Sequence, residues 1–250
     1  MGKLIDYYDE SVWGELGTSR STLDRERLCV KLIMRFKPNP KNILDVGCGN
    51  GEFLEYYASQ IEGKVKLFGL DYSEYQAKIA NAKEGLSVKV ANVEEDQLPH
   101  KPASMDIVYA AELVEHLYDP DSFFAEAHRV LKDDGILVVS TPNLHAWYNR
   151  ILFFFGIMPI FYEMSAKSPL IGAGPLRFIK KGTAPVGHIR LLNKNGLEDL
   201  LKSQGFEPLV FRASIFESLP KPVQFIDKIF TFLPTLSSNL IVVACKKQES

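Results

Sequence analysis

Two acids and three histidines in this chain have types and spacing that could do chemistry. Asp45 stands two residues before a three-glycine turn, Gly47-Cys48-Gly49-Asn50-Gly51. Asp71 follows that turn at about 20 residues, a distance at which a carboxylate can accept hydrogen bonds from both hydroxyls of a ribose. His116, His145 and His188 are spread over the middle and later parts of the chain. The glycines let backbone N–H groups approach a ligand, and the helix that follows favours the ligand's negative end. The turn reads G-x-G-x-G with Glu52 next. It lacks the third glycine of a dinucleotide turn, G-x-G-x-x-G. A carboxylate ahead of the turn suits an ammonium group rather than a pyrophosphate. The histidines are candidate general bases, useful where an acceptor hydroxyl or protonated amine must lose a proton.

These residues need strands and helices to hold them. The apolar run around Ile43, Leu44 and Val46 reads as a buried parallel strand, and Phe53, Leu54, Tyr57, Ala58 and Ile61 repeat on one helix face. Before them, Leu23, Leu28, Val30, Leu32, Ile33 and Phe36 predict a helix, opened by Ser21 and closed by Pro38 and Pro40. Residues 65–71 predict a second strand ending in Asp71, and Ser73 caps a helix through Ala77, Ile79, Ala80 and Ala82. Residues 86–91 and 105–111 predict the third and fourth strands. Asp119, Pro120 and Asp121 then start a helix whose buried face is Phe123, Phe124, Ala127, Val130 and Leu131. A fifth strand is expected at 135–143. In an open α/β sheet ligands bind beyond the carboxyl ends of the strands, so His116 is the first candidate to touch an acceptor and Glu112 the next.

Residues 144–187 break the alternation. This insert is apolar and aromatic (Trp147, Tyr148, Phe153, Phe154, Phe155, Phe161, Tyr162, Phe178), with basic residues at Lys167, Arg177, Lys180 and Lys181. It is too long for a plain connection in a compact domain. A helical cap burying its own aromatics and a substrate lid both account for it. Asn193 caps a further helix up to Gly205, a sixth strand is expected at 206–211, a second apolar insert at 222–234, and the last strand at 239–245.

Asp45 with the glycine turn, Asp71 followed by Tyr72, Leu98-Pro99, Asp106, the run Glu115-His116-Leu117-Tyr118-Asp119-Pro120, the ending Thr141-Pro142-Asn143 and the run 187–192 together carry a resemblance. The chain resembles the class I S-adenosylmethionine-dependent methyltransferases, in their small-molecule branch. That branch includes quinone-biosynthesis and methionine-biosynthesis-associated enzymes. The resemblance implies a Rossmann-like three-layer α/β sandwich on a seven-stranded, mostly parallel sheet of order 3-2-1-4-5-7-6, the last strand antiparallel. It implies a single domain over 1–250, with an N-terminal cap at about 1–38 and an aromatic helical lid at about 144–187.

The implied cofactor is S-adenosyl-L-methionine, leaving as S-adenosyl-L-homocysteine. Asp45, Gly47, Cys48, Gly49 and Gly51 would lie under its methionine part, Asp71 at its ribose, and Tyr72 beside adenine. Asn92 stands where the family often has aspartate; its amide oxygen can still accept from the adenine amino group, with the Val93 backbone and Glu94 as other candidates. Ala110 and Ala111 would complete the cofactor edge, while Tyr8 and Arg20 are possible contacts to its carboxylate. The cofactor's methyl is already activated, so the enzyme mainly aligns an acceptor for in-line displacement.

Composition narrows the alternatives. A net charge of −2 gives no bulk argument for nucleic acid. Cys29, Cys48 and Cys245 are widely spaced and read as free thiols in a reducing compartment, without zinc-ligand spacing, so no metal site is expected. The N-terminus lacks the apolar core of a signal peptide, and the apolar stretch 151–162 is shorter than the roughly 20 residues of a membrane-spanning helix. The expected location is the cytoplasm. The rival readings are an NAD-dependent dehydrogenase, disfavoured by the glycine spacing, a non-catalytic S-adenosylmethionine binder, and a methyltransferase meeting a lipid or isoprenoid acceptor at a membrane surface. The oligomeric state and the acceptor stay open.

Overall fold

The chain is described as a computed structural model, which covers residues 24–180 and 185–248. Tyr8, Arg20, Ser21 and Lys181 lie outside the described residues. Helix α1 (Asp24–Phe36) precedes strand β1 (Asn42–Val46) and helix α2 (Glu52–Ser59). Then come β2 (Lys66–Asp71), α3 (Glu74–Asn81), β3 (Leu86–Val90) and β4 (Met105–Ala111). Helix α4 (Pro120–Val130) leads to β5 (Leu131–Pro142). The insert contains α5 (Trp147–Phe154) and the short α6 (Arg177–Lys180). The chain closes through α7 (Lys194–Ser203), β6 (Phe206–Ser214), α8 (Lys221–Phe230) and β7 (Asn239–Lys246).

The sheet has seven strands in the order β3-β2-β1-β4-β5-β7-β6, as expected. The pairs from β3 through β5 are parallel, and β7 runs antiparallel to both β5 and β6. Successive side chains of a strand point to opposite faces, and the central strands bury both. Ile43, Ile107, Tyr109, Ile136 and Val138 pack with Cys29 and Ile33 of α1 and Phe53, Leu54 and Tyr57 of α2. Leu44, Val108, Ala110, Leu137 and Val139 pack with Phe123, Phe124 and Ala127 of α4 and Leu197 and Leu201 of α7. Helices thus cover both faces, which gives the three layers.

Two expectations need correction. Leu131 is not on the helix face: α4 ends at Val130, and Leu131 already has extended backbone and pairs with Met105. The ladder then skips and resumes at Ile136 opposite Ile107, so Lys132 to Gly135 form a bulge inside the strand. The sixth strand is also longer than expected and reaches Ser214, where it pairs with Asn239. In the insert, Ala146, Tyr148 and Phe161 bury themselves against Leu219 and Phe216 of the connection between β6 and α8. Trp147 stacks on Phe230 of α8 at 5.4 Å and donates its indole N–H to Asp227. Asp227 is fully buried and also accepts from the Phe216 N–H and the Ser238 hydroxyl. Among the described residues no helix is long and apolar enough to cross a membrane.

Candidate functional site

The glycine turn joins β1 to α2 with all three glycines at positive φ, Gly47 at 77°, Gly49 at 53° and Gly51 at 79°. At Gly51 a Cβ would meet Leu86 Cδ2 at 2.6 Å, so that glycine lets the turn close on β3. At Gly49 a Cβ would meet nothing within 4 Å, which marks the open floor of the turn. Asp71, at the end of β2, holds the turn in shape. Its carboxylate accepts from the Gly49 N–H at 2.7 Å and from the Ser73 N–H at 2.8 Å. Burial raises its pKa, and these backbone bonds oppose the rise.

Asp45 is 2% exposed and its carboxylate has no hydrogen-bond partner among the described residues. Burial, and then the charge of Asp71, hold its carboxyl well above the ordinary carboxylate range. A buried acid without a donor, beside a second acid, is suited to receive a cation. The Cys48 side chain packs against Ala77, Ala80 and Val88, and its thiol donates to the Gly49 carbonyl at 3.6 Å. The Ala110 side chain is likewise in the core, and Ala111 is partly buried against the other face. Asn92 uses its amide oxygen to accept from the Glu94 N–H at 3.1 Å, so its second lone pair is the one left to a ligand. Glu94 itself accepts from the backbone N–H groups of Tyr118 and Asp119, tying the β3 loop to the β4 loop.

Beyond β4 the chain makes a short 3₁₀ turn, Val114–His116. Glu112, ahead of it, has φ 53°, unusual for a residue with a side chain, at the sheet edge where ligands bind. Its Oε1 takes the Ser140 hydroxyl at 3.1 Å and pairs with Arg25 at 3.2 Å. Arg25 is largely buried; burial opposes its charge, but the neighbouring Glu112 raises it above the ordinary value. Glu115 is fully buried, with Oε2 accepting from Thr141 Oγ1 at 2.9 Å and Oε1 without a partner among the described residues. Burial and then Glu112 hold its carboxyl well above the usual range.

The segment after Gly187 folds back onto this turn. The N–H groups of Ile189 and Arg190 donate to the Glu115 carbonyl, and the Arg190 side chain donates to the carbonyls of Leu117 and Tyr118. This brings His188 against His116, with ring centroids 4.9 Å apart. Burial, and then His188, pull His116 down to about 4, so it is neutral near pH 7. His188 is lowered too, mainly by burial. The insert completes the arrangement: the Phe161 carbonyl lies 3.1 Å from His188 Nδ1, and the Glu163 carboxylate accepts from the Gly187 N–H at 2.8 Å. His145 is not part of the pair; it is exposed, and its ring makes no hydrogen bond among the described residues.

Arg25, Thr141 and Glu163 were not legible as site residues. Arg25 gave one faint signal, a basic residue in line with Cys29 and Ile33 on the apolar face of α1.

The strand order reverses between β1 and β4, and the glycine turn and Asp71 sit at that switch point, which defines an α/β fold for a nucleoside-containing cofactor. The chain belongs to the family described as "Methyltransferase domain", which matches residues 22–210. It is 31% identical over 168 residues to a probable S-adenosylmethionine-dependent methyltransferase of Mycolicibacterium smegmatis, covering 67% of this chain and 52% of that protein. It is 34% identical over 136 residues to the demethylmenaquinone methyltransferase of Geobacillus stearothermophilus, covering 51% and 58%. The chain therefore spans about half the length of these curated relatives. A solved structure described as a possible histamine N-methyltransferase of Thermotoga maritima shares the fold, with a TM-score of 0.57, 19% identity and 89% of each chain covered.

Proposed function

We propose that the protein is an S-adenosylmethionine-dependent methyltransferase that methylates a small-molecule acceptor by direct in-line displacement. The observation that carries this reading is the unpartnered, buried Asp45 carboxylate beside a positive-φ glycine turn whose shape Asp71 holds. The cofactor would supply an activated methyl group. Asp45 would take its ammonium, Gly47, Gly49 and Gly51 would leave room for its methionine part, and Asp71 would accept from its ribose hydroxyls through its remaining lone pairs. Tyr72, Asn92 and Val93 would flank adenine, with Ala110 and Ala111 contributing backbone. His116 and His188 would face the acceptor, and residues 144–187 would act as its lid within a single domain spanning 1–250. The bond from Phe161 to His188 supports that role, because it ties the insert to the histidine pair. The name of the demethylmenaquinone relative supports a small molecule as acceptor, and the net charge of −2 argues against nucleic acid.

Calorimetry on the full chain with S-adenosylhomocysteine, and separately with NADH, tests the reading. S-adenosylhomocysteine should bind and NADH should not; failure of the first would sink it. A second reading, a lipid-soluble acceptor met at a bilayer surface, is favoured by Phe154 and Phe232, each 84% exposed. Co-sedimentation with anionic liposomes should then occur and be weakened by Phe154→Ser with Phe232→Ser. A supernatant that keeps all the protein would remove it.

A further inference from the structure

Helices α5 and α8 pack together and leave outer faces that are both apolar and basic. Trp147 stacks on Phe230, its backbone N–H donates to the Leu236 carbonyl at 2.8 Å, and Arg150 donates to the Thr235 carbonyl at 3.2 Å. In α8 the inward face is Asp227, buried, with Val223 and Phe230, both partly buried. The opposite face, at spacings of three and four residues, carries Lys221, Phe225, Lys228 and Ile229, all exposed. In α5, Tyr148 and Asn149 are buried, whereas Arg150, Ile151 and Phe154 are exposed.

We propose that these two outer faces form one docking surface for an anionic phospholipid bilayer, with the cations at the headgroups and the apolar side chains between them. It rests on the bilayer-surface reading above and deepens it, by naming the surface and the charge of the lipid.

A surface helix of a water-facing domain turns polar residues outward, yet Phe225 is 71% exposed and Ile229 57%. Such a patch marks a contact surface, and its mixed composition says of which kind. Lysine is depleted from the cores of protein–protein interfaces. On a bilayer its stem lies along the apolar zone while the ammonium reaches the phosphates. The acid of these two helices is Asp227, and it is buried under Trp147, Phe216 and Ser238. Nearby, Glu217 accepts from the Asp24 N–H, and Asp24, which shares a groove with Lys228, pairs with Arg27. A second copy seated on this face would bring the same cations together with no acid of either helix to meet them. The net charge of the chain is −2, so the basic face is local rather than a bulk property.

The surface also lies at the edge where an acceptor would enter. Helix α5 starts just past the carboxyl end of β5, and the same insert carries Phe161, whose carbonyl meets His188. A bilayer held there would bring a dissolved acceptor to the histidine pair without passage through water.

The full chain is floated with vesicles of phosphatidylcholine plus about one-third phosphatidylserine, and with vesicles of phosphatidylcholine alone. We expect binding to the first and much weaker binding to the second. Each lysine at an anionic surface is worth roughly fivefold in affinity, so Lys221→Glu with Lys228→Glu should lower binding at least tenfold. Phe225→Ser with Ile229→Ser should lower it comparably. Lys64→Glu with Lys101→Glu makes the same charge change ahead of β2 and β4, at the other end of the strands, and should leave binding unchanged. Thermal melts show that each variant is folded, and calorimetry with S-adenosylhomocysteine tests the cofactor reading separately. Wild-type protein that leaves the anionic vesicles bare, equal binding to both vesicles, or equal losses in the two lysine pairs would overturn the surface. So would a dimer in light scattering that Phe225→Ser with Ile229→Ser dissolves, because the face would then belong to a second copy. Vesicle binding without S-adenosylhomocysteine binding would overturn the cofactor reading and leave the surface standing.

Discussion

The two ends of the candidate site are built in different ways. The cofactor end is local and made largely of backbone: three positive-φ glycines between β1 and α2, with one carboxylate from the neighbouring strand holding the turn. The acceptor end is long-range and made of side chains. His116 meets the Gly187 carbonyl 71 residues away, and His188 is held by Phe161 in an insert the core does not need. A turn of glycines can be read along the chain; a cluster gathered from three segments cannot. The contrast also says how each end should fail: the first through backbone strain and lost acceptors, the second through loss of the packing that gathers it.

Gly51→Ala should have the largest effect. The new Cβ would sit 2.6 Å from Leu86 and 3.2 Å from Ala80 at φ 79°, so strain and overpacking add. A loss of about 3 kcal/mol in urea unfolding is expected. Gly49→Ala carries only the conformational penalty, about 1 kcal/mol, because its Cβ meets nothing. It should nonetheless impair S-adenosylhomocysteine binding more than its stability cost explains. Equal stability losses at the two positions would break the argument that Gly49 faces a ligand and Gly51 faces the protein.

At the other end, Asp227→Ala strands three donors at once: the Trp147 indole, the Phe216 N–H and the Ser238 hydroxyl. It should cost about 2–3 kcal/mol and loosen the contact between the two inserts. S-adenosylhomocysteine binding should survive at temperatures where the variant remains folded. If calorimetry showed cofactor affinity falling with insert stability, the two ends would not be separable.

The same contrast explains what the sequence made legible. The strands, both acids and the glycine turn follow from period-two and period-3.6 patterns and from fixed spacings, and the sheet order that the family resemblance implied came out as expected. The start of β5 was misread because Leu131 continues the apolar face of α4, yet the Lys132–Gly135 bulge lets it pair as strand. His145 stood with His188 as a candidate behind His116, since each follows or precedes a regular element. Only the fold-back of residues 187–190 onto the Glu115 carbonyl separates the pair from the exposed third. Arg25 was hidden because its partner Glu112 is remote in sequence.

Asp71→Asn probes the acid that joins strand and turn. The amide keeps one accepting oxygen but turns a donor toward the N–H of Gly49 or Ser73. S-adenosylhomocysteine affinity should fall tenfold or more, about 1.4 kcal/mol, with a stability loss of about 1–2 kcal/mol. Retained affinity would mean that the turn keeps its shape without this clamp and that ribose does not use the acid.

The smallest effect is the pH dependence that Asp45 should impose. Its folded pKa is raised, by burial first and by Asp71 second. The apo fold therefore binds this proton more readily than the unfolded chain does. Asp45's contribution to apo stability is present below the unfolded carboxylate pKa and is lost as pH rises through the folded value. An ammonium ligand needs the ionised acid, so its affinity should move the opposite way, increasing as pH rises through that same value. Across the pH range in which the chain stays folded, S-adenosylhomocysteine should bind more tightly at the upper end. Homologues of the ligand lacking the amino group should show no such slope. Asp45→Asn should flatten the profile at a lower affinity, since a neutral amide has no proton to lose in this range. A slope that survives Asp45→Asn would move the titrating group elsewhere and remove the ammonium assignment from Asp45, leaving the glycine turn and Asp71 to hold the cofactor end by backbone alone.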